Sequence, residues 1–273
     1  MISILRQPIY IILNNSLSTT SLRGLKFSAI QDCQQYLSYC SKNSINTGST
    51  VFRGTLYELH VKAFFEKYLN CENLIKNGGA YDNGVDIIGK WNLSPFYNER
   101  EREYEYDTKP IKLSSKSILK YSQESKFNIA SNPISLINDI QVLIQCKNVK
   151  KKPDAKIIRE LSGILDFHKF NKKSTFMFIV TPYPCTPQAV VQLDTTNHAI
   201  IHFMISPLTN NSVKITRNQD NDDNDNDYSG DSFFNLDSWK GGDLKLVYMN
   251  RQARKLLSGL NMEQKLKLIL FID

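Results

Sequence analysis

Residues 142–152 read VLIQCKNVKKK, an apolar run that carries Gln145 and Lys147 before it breaks into basic residues. On a β-strand side chains alternate, so Val142, Ile144 and Cys146 face one way while Leu143, Gln145 and Lys147 face the other. A lysine on a buried strand is costly unless it is paired, solvated or placed at a strand end. Two readings follow: the strand surfaces there and Lys147 reaches solvent, or a carboxylate on a neighbouring strand shares its face.

The stretch GVDIIGK, residues 84–90, supplies that carboxylate. Asp86 lies between Val85 and Ile87 and is expected to point away from the face those two occupy. Two strands that each break the apolar pattern at one polar position are most simply explained by a shared site. Asp86, the side-chain oxygen of Gln145 and the backbone carbonyl of Cys146 are the hard oxygen donors that Mg²⁺ or Mn²⁺ takes. Lys147 is then placed to position or deprotonate an attacking water and to offset charge growing on a phosphorane. Glu58 lies in TLYELHVKAFFEKYL, residues 55–69, an amphipathic helix in which Val61 and Phe65 follow it at i+3 and i+7, so it is directed towards the inward stripe. Two structural readings stand beside a catalytic one: Thr55 and Glu58 match a capping box, and Glu58 with Lys62 matches a favourable i, i+4 pair.

Around these stretches the pattern is regular. Residues 31–42 read as a helix on Cys33, Tyr36, Leu37 and Cys40, and residues 155–167 as a helix opened by Pro153 and Asp154. TFMFIV, residues 175–180, is continuously apolar, as a strand covered on both faces is. A helix over 187–193, a strand over 199–205, and a strand, a helix and an amphipathic tail after Gly242 complete an α/β sandwich around a central sheet. The main α/β unit spans 32–217, with 241–273 completing it. Residues 92–139, rich in charge, read as an insertion, part of which should be ordered. Residues 218–240 form an acidic low-complexity loop. Asp223, Asp225 and Asp227 have the spacing of a calcium loop, but Tyr228 replaces its glycine and Phe234 its glutamate, so the stretch reads as a disordered acidic loop.

The formal charge is +7, and seven aspartates between residues 218 and 237 hide a larger excess: removing their negative charges from +7 leaves +14 on the remainder. That bias favours a polyanion partner. Five scattered cysteines without C-x-x-C spacing argue against a zinc site or a disulfide framework. No apolar run is long enough for a membrane span, so integral membrane association is not expected. Residues 1–31 contain no acidic residue, carry Arg6, Arg23 and Lys26, and cluster Ser and Thr, the composition of a mitochondrial transit peptide or of a flexible tail. There is no glycine fingerprint for a dinucleotide, and the four histidines stand apart from any nucleophile signature.

GTLYE in a helix, GVDIIG, IQCK, a helix with ELSGIL and a strand ending at Thr181 together resemble the Mrr-type branch of the PD-(D/E)XK nucleases, over about residues 50–205. With its transit-like N-terminus the chain is most similar to the fungal mitochondrial family named required for respiratory growth protein 7. The resemblance implies a restriction-endonuclease-like α/β/α sandwich with a central mixed β-sheet. It also implies a Mg²⁺-dependent endonuclease of the mitochondrial matrix that acts on mitochondrial DNA and supports respiratory growth through genome maintenance. The alternative is an inactive nuclease-like protein that binds nucleic acid or serves as a scaffold. By position, Asp86 is similar to the metal-binding aspartate, Lys147 to the catalytic lysine and Glu58 to the helix glutamate. Gln145 stands where most members have Asp or Glu, and the proline that precedes the family aspartate is absent. Lys150, Lys151, Lys152, Lys156 and Arg159 are then available to phosphates.

Overall fold

The structure, a computed structural model, describes residues 30–77, 84–97, 113–124, 132–210 and 233–270. Residues 1–29 of the transit peptide or tail expected over residues 1–31, residues 98–112 and 125–131 of the 92–139 insertion, and residues 218–232 of the 218–240 acidic loop fall outside the described residues.

Six strands form one mixed sheet: β1 (Cys71–Lys76), β2 (Ile87–Trp91), β3 (Gln141–Cys146), β4 (Thr175–Thr181), β5 (Ala199–Ile205) and, after the short pair β6 (Thr209–Asn210) and β7 (Trp239–Lys240), β8 (Leu244–Met249). Their spatial order is β1-β2-β3-β4-β5-β8. β3, β4 and β5 run parallel, and β1, β2 and β8 pair antiparallel at the two flanks. The helices are α1 (Cys33–Lys42), α2 (Thr50–Tyr68), α3 (Ile118–Glu124), α4 (Ala155–Phe167), α5 (Pro187–Thr195), α6 (Arg251–Leu256) and α7 (Met262–Ile269).

The period-two alternation of the central strands sorts the core into two layers. Val142, Ile144, Phe176 and Phe178 pack with Tyr57, Val61 and Phe65 of α2 and with Ala253, Leu256, Met262 and Leu266 of α6 and α7. Leu143, Met177, Ile179 and Ile200 pack with Ile158, Leu161 and Leu165 of α4 and with Ala189 and Leu193 of α5. Both faces are covered, which is why these strands read as unbroken apolar runs. α1 lies against the back of α2 through Tyr36, Leu37, Cys40, Phe52 and Leu56.

α4 starts where Pro153 and Asp154 place it, and the Asp154 carboxylate accepts from the Lys156 and Ile157 amides at 3.0 and 3.1 Å. α2 begins five residues earlier than expected, because the Ser49 hydroxyl caps it by accepting from the Phe52 amide at 3.1 Å. Thr55 is therefore inside the helix and forms no capping box. Lys62 pairs with Glu66 at 2.8 Å, not with Glu58. β1 carries no readable alternation: its register shifts between Glu72 and Ile75, and Asn73 has φ +53°. The described parts of the insertion complete the core: Phe96 and Ile118 are buried, the Asn261 amide donates to the Phe96 carbonyl at 2.7 Å, and the Ser117 hydroxyl donates to the Ser258 carbonyl at 2.7 Å.

Candidate functional site

The parallel strands β3, β4 and β5 end on the same side of the sheet, the side where open α/β sheets place their ligands. β1 ends and β2 begins there too, because Lys76 is level with Ile87 and Ile87 with Ile144. Continuing that register by one residue sets Asp86 opposite Gln145. The backbone agrees: the Asp86 amide donates to the Ile144 carbonyl at 2.9 Å, and the Asp86 carbonyl accepts from the Asn77 amide at 2.7 Å.

Gly84 makes this entry possible. Its φ is +74°, a region costly for residues with a Cβ, and a Cβ there would stand 2.6 Å from Ile164 Cδ1. The turn also corrects one expectation. Val85 and Ile87 do not share a face: Val85 joins the α4 and α5 layer, Ile87 the α2 layer, and Asp86 sits in a bend just before β2.

Asp86 and Gln145 meet directly. Asp86 Oδ2 accepts from Gln145 Nε2 at 2.6 Å and from the Cys146 amide at 2.6 Å, with the two residues 7% and 2% exposed. These are short, charge-assisted bonds. In this contact the amide turns its nitrogen to Asp86, since its oxygen there would set two acceptors face to face. Gln145 Oε1 is left buried with no hydrogen-bond partner. An orphaned buried acceptor of this kind costs about 1–3 kcal/mol, and a hydrogen-bond donor or a hard cation relieves it.

Lys147 follows immediately beyond β3. Its amide donates to the Val180 carbonyl at 2.8 Å and its side chain is half-buried. Among the described residues no carboxylate lies within ion-pair distance of its ammonium, so the carboxylate of Asp86 answers to Gln145 rather than to Lys147. The strand surfaces at this point. Glu58, on α2, accepts from Lys76 Nζ at 3.0 Å through Oε2, and the Lys76 side chain is 9% exposed. Lys76 was invisible to sequence reasoning because the irregular β1 that delivers it gives no alternating signal.

The Cys146 thiol ties these groups together. Burial raises its pKa well above the ordinary thiol value, the charges of Asp86 and Glu58 raise it further, and those of Lys147 and Lys76 act in the opposite sense. Two carboxylates and two ammonium groups therefore act on one thiol that burial keeps protonated. Lys150, Lys151, Lys152, Lys156 and Arg159 are all exposed, on the loop after β3 and the first turns of α4. Lys156 lies 3.7 Å from Glu160, a pair exposed enough to contribute little. At the end of β4, His202 Nε2 is 2.8 Å from the Thr181 hydroxyl, which itself donates to the Tyr183 carbonyl at 2.7 Å, so the imidazole is the donor. Burial lowers the His202 pKa to about 4.

Among the described residues no cluster of three or more His, Cys, Asp or Glu side chains could hold a metal ion. A cation here would depend on one carboxylate together with amide and carbonyl oxygens. The model of the family described as required for respiratory growth protein 7 matches residues 49–257. The chain belongs to that family. The match runs from the cap of α2 through α6 and includes Glu58, Lys76, Asp86, Gln145 and Lys147. The protein named required for respiratory growth protein 7, mitochondrial, from Vanderwaltozyma polyspora is 26% identical over 227 residues, 82% of each chain. Its namesake from Kluyveromyces lactis is 28% identical over 235 residues, 84% of this chain and 88% of that one. A Saccharomyces cerevisiae member of the required for respiratory growth protein 7 family is 27% identical over 242 residues, 85% and 89% of the two chains. No solved structure matches the chain. No helix among the described residues is long and apolar enough to cross a membrane.

Proposed function

We propose that this chain is a mitochondrial, metal-dependent phosphodiesterase that acts on DNA, built on a restriction-endonuclease-like sandwich, and that it supports respiratory growth through the mitochondrial genome. The observation that carries the reading is the buried contact of Asp86 with Gln145 and the Cys146 amide at the end of β3, with Lys147 one residue on and the exposed lysines 150–152 just beyond. The names of the relatives support the mitochondrial and respiratory parts. The +7 excess supports a polyanionic substrate.

Asp86, Gln145 Oε1 and the Cys146 carbonyl would hold Mg²⁺ or Mn²⁺, and the orphaned amide oxygen is the feature of the site that fits a cation. Gln145 would then present its oxygen, the reverse of the amide orientation described above. Such an ion polarises a phosphoryl oxygen and lowers the pKa of a bound water. The chain's own contribution is positional: the Cys146 amide holds the Asp86 carboxylate still, and Lys147 is available to the attacking water and to charge on the pentavalent phosphorus. Lys150, Lys151, Lys152, Lys156 and Arg159 would touch backbone phosphates without reading sequence.

A second reading has its own observation. Asp86 Oδ2 already accepts two N–H groups, Gln145 brings no charge, and Glu58 is ion-paired, an arrangement that also suits a protein that binds nucleic acid without cutting it. Incubation of the purified chain with plasmid and linear DNA and Mg²⁺ separates the two. Cleavage should fall about 100- to 1,000-fold in Lys147→Ala and at least as far in Asp86→Ala. Equal cleavage by all three proteins removes the assignment, and Mg²⁺-independent, salt-sensitive binding without cleavage favours the second reading.

A further inference from the structure

The phosphodiesterase reading makes no use of the ion pair between Lys76 and Glu58. Lys76 is the last residue of β1, and its register with Ile87 brings it level with the start of β2, beside Asp86. Its ammonium lies 3.0 Å from Glu58 Oε2 and 3.4 Å from the Asn77 carbonyl, on a side chain that is 9% exposed. The backbone at Lys76 is itself held, with its amide donating to Gln31 Oε1 at 2.9 Å. An ammonium so far removed from water needs a carboxylate fixed against it, and breaking such a pair costs more than forming it gains.

The pair changes what the site can hold. Two-cation sites clamp both ions a few ångströms apart between shared acidic ligands. Here Gln145 stands uncharged, and Glu58 is turned to a lysine on the α2 side of the sheet, while Asp86 is engaged with Gln145 and the Cys146 amide. A single hard cation needs only one or two carboxylates, with water and phosphate completing its shell. We propose that Lys76 is a positioning residue, a fixed counter-cation that occupies Glu58 and so limits the site to one divalent ion held on the Asp86 side. The inference rests on the metal-dependent reading above and adds to it the metal count and the residue that sets it.

The test counts Mn²⁺ bound per full-length chain, by the electron paramagnetic resonance of the free ion, with and without a DNA duplex. The wild type and Lys76→Arg should bind one ion. Lys76→Met should take up a second, or bind about tenfold more tightly, because Glu58 is released. Lys76→Gln, which removes the charge that holds Glu58, gives the same comparison if methionine is not tolerated in the fold. The double variant Glu58→Gln with Lys76→Met should return to wild-type binding, a reversal that a purely structural role for Lys76 does not produce. Asp86-dependent binding that is the same in the wild type, Lys76→Met and Lys76→Gln overturns this inference alone. Binding that is absent throughout, or that survives Asp86→Ala unchanged, overturns both the inference and the metal-dependent reading.

Discussion

At the end of the sheet where β2 finishes, Trp91 stands against Phe96, Phe176 and Phe178 with ring centroids 6.2, 5.2 and 4.9 Å away, and its indole N–H donates to the Leu69 carbonyl at 2.9 Å. At the end where β2 starts, five residues earlier, Asp86 is bound to an amide side chain and a backbone N–H, with a lysine ion pair nearby. The same strands build both ends. One closes with aromatic contacts that need nothing further, and the other carries buried polar groups whose desolvation is only partly offset, as the orphaned Gln145 oxygen shows. Aromatic packing dominates at the Trp91 end, and buried polar contacts dominate at the Asp86 end.

The largest effect that would sharpen this contrast is at the aromatic end. Trp91→Ala should lower the unfolding free energy by about 3–5 kcal/mol in a urea titration, more than any single substitution among Glu58, Gln145 and Lys147. A smaller loss than those would break the comparison. The next largest belongs to His202, at the polar end. Its folded-state pKa of about 4 lies below the ordinary value of about 6.5, so the unfolded chain takes up a proton first as the pH falls. Its contribution is complete above pH ~6.5 and is lost progressively towards pH 4, to a total of about 3 kcal/mol. His202→Gln should flatten that part of the stability profile, measured by thermal unfolding across the range. The smallest concerns the basic loop. Replacing lysines 150, 151 and 152 by alanine should leave unfolding unchanged and reduce the slope of log affinity for DNA against log salt by up to about 0.9 for each phosphate no longer neutralised.

Much of the fold was readable because its signals are local. TFMFIV is apolar throughout because both faces are covered, and α4 announces itself by Pro153, Asp154 and a helical stripe. The start of α2 was hidden by Thr55 and Glu58, whose spacing imitates a cap while Ser49 supplies the real one. β1 went unread because a bulge at Asn73 breaks its alternation, and Lys76 went with it. In the candidate site, the convergence of Asp86 and Gln145 was anticipated from two breaks in an apolar pattern. That Lys147 surfaces without a carboxylate beside it among the described residues was one of the two readings left open, whereas the lysine beside Glu58 is Lys76 and not the Lys62 that the helical spacing offered.

The sequence by itself determined which way each side chain leaves its strand, because the alternation of the pleat is a property of the local backbone. It therefore settled that Gln145 and Lys147 lie apart from Val142 and Ile144. Only the tertiary structure decided which groups meet, because Asp86 and Gln145 are 59 residues apart and their contact depends on strand register and on the turn at Gly84. Side-chain direction follows from neighbouring bonds, whereas distance between remote groups follows from the packing of the whole sheet.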